Sequence, residues 1–168
     1  MAIAESLIPE FNNEMKTTRT LLERVPEDKA DWQPHQKSMS LGKLSIHLAT
    51  PPSLAIRTLS ATEMDMNPPG GPAFVPPSFE NLGKTLEIFD KNESDVREAL
   101  SNASDAELMI GWSLKNGGAT IFTMPRVAVI RTVVMNHLIH HRGQMSVYLR
   151  LLDVPLPSIY GPSADTPM

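Results

Sequence analysis

Apolar residues recur at Leu7, Phe11, Met15, Leu22 and Val25, at spacings of four, four, seven and three. That stripe predicts an amphipathic helix from about Ser6 to Val25, with Pro26 marking its end. The stretch from Glu27 to Ser38 is polar, contains Trp32, Pro34 and His35, and reads as a connecting loop. Ser38 or Ser40 then suits the cap of a second helix, from about Leu41 to Leu59. Pro51 and Pro52 interrupt it. A proline inside a helix removes the hydrogen bond to the carbonyl four residues back, which for Pro51 belongs to His47. The pattern therefore predicts a kink or a pause just after His47. Leu82, Leu86, Phe89, Val96 and Leu100 mark a third helix, capped by Ser78 and running to about Ala99. Pro125 suits the first turn of a last long helix that reaches about Leu152 and stops before Pro155.

The segments between these helices are irregular. Thr62 to Ser78 holds five prolines and two glycines, a loop long enough to suggest more than connection. Between Asn102 and Met124, Trp112, Leu114, Ile121 and Phe122 flank Gly117-Gly118, a pattern compatible with a short hairpin. The tail, from Pro155 onward, is rich in proline. With no internal repeat or second domain visible, residues 1–168 read as one domain. The fold class expected is all-α: a four-helix bundle with long loops between its helices.

Composition narrows the function. Of the 168 residues 41% are hydrophobic and 20% charged, the balance of a soluble globular chain. A core of this size needs no metal as a staple, so a metal site here would be functional. The net charge of −4 argues against nucleic acid or an anionic membrane as the main partner. Cysteine is absent, which removes disulfides, thiolate zinc sites and cysteine nucleophiles. No apolar run approaches the ~20 residues of a membrane span. The opening MAIAESLIPEF lacks the basic-then-apolar plan of a signal peptide, so a cytoplasmic protein is expected.

The chemistry concentrates in the last helix, at Asn136-His137-Leu138-Ile139-His140-His141-Arg142-Gly143-Gln144. His137 and His141 are four apart and share a helix face. Ile130, Val134 and Tyr148 fall on the same stripe, which points the pair into the bundle. Two imidazoles so placed can reach one ion, though a histidine pair is also compatible with a satisfied core, and His140 blurs the choice of pair. His47, on a helix face with Ser40, Leu44 and Leu54, offers a third ligand. A His₃ set leaves one coordination position open, the arrangement of catalytic rather than structural sites. Gln144, three after His141, can orient a ring or a bound molecule, or simply bond to a neighbouring helix. Tyr148 reads as core, while His140 and His35 read as non-ligands. The last helix carries Arg126, Arg131, Arg142 and Arg150 and no acid, whereas Phe79 to Glu107 is acidic. Ordinary pairing between neighbouring helices accounts for this, with an anion contact through Arg142 as the sharper alternative. Leu138 follows His137, so the His-Glu-x-x-His protease motif is absent, as is any Gly-x-Ser-x-Gly nucleophile elbow.

Several blocks, in order, resemble the DinB/YfiT-like family of four-helix-bundle metalloproteins. They are Trp32-Gln33-Pro34-His35 with Lys37-Ser38; Leu41-Gly42-Lys43-Leu44-Ser45-Ile46-His47; Asn136-His137 through His141-Arg142-Gly143-Gln144; and Tyr160-Gly161-Pro162-Ser163-Ala164-Asp165. The resemblance implies a divalent ion held by His47, His137 and His141, in a chain that forms a homodimer. Some relatives are thiol-dependent transferases that use a low-molecular-weight thiol. The expectation is thus a metal-dependent enzyme of transferase type acting on a small molecule. A metal-dependent hydrolase is the alternative enzyme, and a non-catalytic, stress-related metal-binding dimer the alternative of another class. Zinc or nickel is expected first, manganese or iron next, since imidazole accepts them all. The Pro-rich loop and the tail are expected to border the site.

Overall fold

A computed structural model describes residues 2–166. Helix α1 spans Ile3–Leu22, α2 Leu41–Ala49, α3 Pro51–Ser60, α4 Leu82–Asn102 and the short α5 Asp105–Leu108. After two strands the chain enters a last helical run: α6 (Arg126–Ala128), a π-helical stretch (Val129–Met135) and α7 (Asn136–Leu151). Helix α1 packs on α4 and α7, α2 on α4 and α7, and α3 on α4 and the π stretch. Their shared core includes Phe11, Met15, Leu44, Leu48, Phe89, Val96, Ile130 and Val134, all buried. Among the described residues, no helix is long and apolar enough to cross a membrane.

The expected all-α four-helix bundle is not what the chain forms: the structure is mixed, helices with a three-stranded sheet. Strands β1 (Glu63–Asp65), β2 (Gly111–Asn116) and β3 (Ala119–Pro125) form a sheet in that order, β1–β2 parallel and β2–β3 antiparallel. The hairpin follows from local chemistry. Gly117 and Gly118 both sit at positive φ, 63° and 81°, as a tight two-residue hairpin loop demands. The Asp65 carboxylate accepts from both glycine N–H groups, at 3.0 and 2.7 Å, which ties the turn to β1. Strand β1 lies inside the segment expected to be pure loop. Three residues carry no alternation to read, and their pairing partner is supplied by a distant part of the chain.

Other boundaries moved for identifiable reasons. Asn81, not Ser78, caps α4: its Oδ1 accepts from Lys84 N at 2.8 Å. Ser40 caps α2, its hydroxyl accepting from Lys43 N at 3.3 Å. The second helix pauses at Thr50, three residues after His47, and resumes as α3. Gly42 in the first turn of α2 has a packing reason, since a Cβ there would lie 2.8 Å from the Phe79 ring. The irregular tail has the expected character as far as Thr166; Pro167 and Met168 lie outside the described residues.

Candidate metal centre

The helix break places His47. Pro51 cannot donate to the His47 carbonyl, and the Thr50 hydroxyl does so instead at 3.2 Å. Ser53 N turns to Thr50 O at 3.0 Å, and the Asn92 side chain on α4 donates to Ala49 O at 2.9 Å. The carbonyls of His47, Ala49 and Thr50 around the break thus find donors, and α2 ends with His47 in its last turn, facing α7. His137 and His141 lie in the first two turns of α7, directly after the π stretch.

The three rings converge. One ring nitrogen from each of His47, His137 and His141 lies within 4.8 Å of the others. The ring centroids stand 5.0 Å apart for His47–His137, and 4.4 Å apart for each of the other two pairs. His47 Nε2 is 2.9 Å from His137 Nε2, so without an ion one of these nitrogens carries the proton and donates to the other. Two imidazoles bound to one ion at about 2.0–2.1 Å in tetrahedral array have nitrogens ~3.3–3.4 Å apart, so the pair needs to open only slightly. The donor set is all imidazole, with no carboxylate in the group, and it fits a borderline divalent ion. Burial, with repulsion from His141 and His137, pushes His47 down to about 4. Burial also lowers His137 and His141, with further repulsion from neighbouring rings. All three are neutral near pH 7, the form that binds metal.

The triad sits differently from the expected inward stripe. The buried face of α7 runs through Leu138, Arg142, Met145 and Leu149. His137 is exposed, and His47 and His141 are half-buried. The π stretch explains the shift: its wider turn advances the buried stripe from Ile130 and Val134 to Leu138 and Arg142, in steps of four. The histidines are left on the flank, at a surface opening. Tyr148 is half-buried, with Trp32 packed edge-on at 5.6 Å and its hydroxyl donating to Met39 O at 3.2 Å.

Gln144 has a specific geometry. His141 Nδ1 donates to its Oε1 at 2.7 Å, and its amide nitrogen lies 3.1 Å from His140 Nε2. The amide oxygen can only accept, so His141 carries its proton on Nδ1 and keeps the Nε2 lone pair for a ligand. His140 stands outside the triad, and His35 is exposed in a turn where its Nδ1 accepts from Lys37 N at 3.1 Å. Arg142 faces away from the triad: buried, it pairs with Glu14 Oε2 on α1 at 2.6 Å. The other arginines of the last helical run mostly bypass the acidic segment. Arg131 pairs with Glu10 on α1, Arg150 with Asp165 in the tail, and Arg126 with backbone carbonyls.

A cleft of about 370 Å³ opens beside the triad, with His47 and His137 in its wall. Met64 on β1, Leu114 on β2, and Met66, Phe74 and Pro76 of the Pro-rich segment form much of that wall. The segment therefore borders the site as expected. Among the described residues the tail contributes no lining residue and is pinned elsewhere: Tyr160 bonds to Arg142 and Glu14, and Asp165 to Arg150. That the hairpin joins this wall through Leu114, and that Arg57 stands at the cleft, no sequence pattern signals.

The family model of the DinB family matches residues 3–167. The chain belongs to the DinB family. The chain is also similar to the uncharacterized protein YrdA of Bacillus subtilis (strain 168), 24% identical over 157 residues, spanning 90% of this chain and 84% of YrdA. The DinB fold is seen again in a DinB-like protein from Bacillus cereus ATCC 10987, with a TM-score of 0.72 at 21% identity over 95% of this chain and 98% of that one. The DinB-like protein YjoA of Bacillus subtilis gives a TM-score of 0.68 at 19% identity, over 90% and 95%. At these identities the structural likeness speaks for the fold.

Proposed function

We propose that this DinB-family protein binds a divalent metal ion through His47, His137 and His141, and uses it as a metal-dependent enzyme of transferase type on a small molecule. The convergence of three neutral imidazoles at the end of an apolar cleft carries this reading. When bound, such an ion supplies Lewis acidity that lowers the pKa of a thiol or water in its open position toward neutrality. His47 and His137 present Nε2 to a common point, and Gln144 holds His141 in the tautomer that presents Nε2 as well. The half-exposed triad leaves one side facing the cleft, where a cosubstrate can reach it. A low-molecular-weight thiol as that cosubstrate, a homodimer and a cytoplasmic setting follow from the family resemblance, and belong to the proposal.

Elemental analysis of protein prepared without a metal-affinity column tests the core of this. Roughly one ion per chain is expected in the parent, and loss of it in His137→Ala. Unchanged metal content in the variant would overturn the site. In the cobalt-loaded protein, a small thiol should add sulfur-to-metal absorption; thiol-independent ester cleavage without that band would point to the hydrolase instead.

A further inference from the structure

One face of α3 forms a wall of the cleft: Thr50, Ser53, Leu54 and Arg57 fall at i, i+3, i+4 and i+7. The Thr50 and Ser53 hydroxyls are committed to backbone carbonyls, at 3.2 and 2.8 Å. The opposite wall presents Met64, Met66 and Leu114. The middle of the cleft therefore offers apolar surface and few free polar groups. Arg57 is different. It is exposed, its guanidinium carbon lies 5.8 Å from the Phe74 ring centroid, and no carboxylate stands within 4.0 Å of it among the described residues. Stacking on Phe74 holds that cation over the cleft. Among the described residues it is, apart from the two histidines, the only ionisable group in the lining, and no acid accompanies it. Arg57 stands two turns, about 10 Å, along α3 from Thr50, where the helix breaks beside His47.

The geometry points to an elongated monocarboxylate as the occupant of this cleft, its carboxylate on Arg57, its apolar body along α3 and the methionines, and its far end at the histidines. This rests on the reading that the triad is the reactive end. The guanidinium fork matches a planar carboxylate with two parallel N–H donors. A phosphate dianion would bring a second charge that nothing in the lining offsets.

The test is calorimetric titration of the full chain, both metal-free and zinc-loaded, with hexanoate, octanoate, decanoate, octanamide, octylammonium and octyl phosphate. Octanoate should bind both forms, about tenfold tighter than octanamide, and Arg57→Met should erase that preference. Arg57→Glu should turn the preference toward octylammonium. The proposal is overturned if octanoate and octanamide bind alike, if Arg57→Met changes nothing, if octyl phosphate binds more tightly than octanoate, or if none binds. Octanoate held only by the zinc-loaded form and indifferent to Arg57→Met would place the carboxylate on the triad, sinking this inference while leaving metal binding intact. Failure of the metal site alone, read from the His137→Ala metal content, leaves the metal-free titration to be judged by itself.

Discussion

His141 and Arg142 are neighbours in the chain, about 100° apart around α7, and they open onto opposite kinds of environment. Arg142 is buried at 1% exposure, and both of its terminal nitrogens are occupied. It pairs with Glu14, donates to Glu14 O at 3.1 Å and Thr18 Oγ1 at 3.3 Å, and donates to the Tyr160 hydroxyl, which itself donates to Glu14 Oε2 at 2.7 Å. His141 belongs to a cluster of like groups with no counter-charge, itself half-buried, whose other two members, His47 and His137, line a cleft. A polar cluster that closes on itself holds a fold together. One that keeps unspent donors at an opening is available to a ligand. The same helical block, His-Arg-Gly-Gln, supplies both, and the Tyr-Gly-Pro-Ser tail joins it because Tyr160 completes the buried side.

The largest expected effect breaks the buried side. Arg142→Met leaves the Glu14 carboxylate buried without its cation, which should cost about 3–5 kcal/mol in urea unfolding. Adding Glu14→Gln should recover part of that loss, and a double-mutant cycle would measure the coupling. Metal content per folded chain should stay at the parent level throughout. A folded Arg142→Met protein without metal would show that the two sides are one unit and end the comparison.

The next effect is smaller and falls on the other side. Gln144→Leu removes the acceptor for His141 Nδ1 and should weaken metal affinity about 10–100-fold in competition with a chromogenic chelator. Gln144→Glu keeps an acceptor and should retain most of the affinity. Unfolding stability should move little in either variant, because Gln144 is only partly buried. A stability loss like that of Arg142→Met would assign Gln144 to the fold rather than to the ligand.

The same two sides differ in how far the sequence discloses them. The triad is legible because its signals are local: a four-residue spacing, and a proline whose lost hydrogen bond falls on His47. The direction of the rings is not legible, since the π stretch shifts the face of α7 by an amount that a fixed helical period does not carry. The buried cluster did leave a trace. Glu14 lies on the apolar stripe of α1, three after Phe11, and an acid there calls for a buried cation. Which cation answers depends on how α1 packs against α7, which no local pattern states. The cleft wall was the least legible part. Strand β1 has three residues, and its parallel pairing with Ser113, Leu114 and Lys115 exists only once the helices have brought the two segments together.

The smallest expected effect separates the two sides by pH. In the metal-free protein the His47 ring titrates near 4 instead of its ordinary 6.5, mainly because burial penalises its charged form. Between those values the unfolded chain binds a proton that the folded chain refuses, so stability must rise with pH there and be lost on acidification. His137 and His141 are lowered for the same leading reason and add to the slope. Urea midpoints in chelator should therefore be level above about pH 7 and fall steadily from there toward about pH 4.5. The drop is modest, because half-exposed rings are partly screened by water. His47→Gln keeps a polar group at the site and removes the most strongly shifted ring, so it should flatten the slope while leaving the neutral-pH midpoint nearly unchanged. A slope that survives His47→Gln intact would locate the proton-sensitive charge outside the triad. Loading with zinc should restore a steep pH dependence in the parent, because protons and the ion then compete for the same three lone pairs.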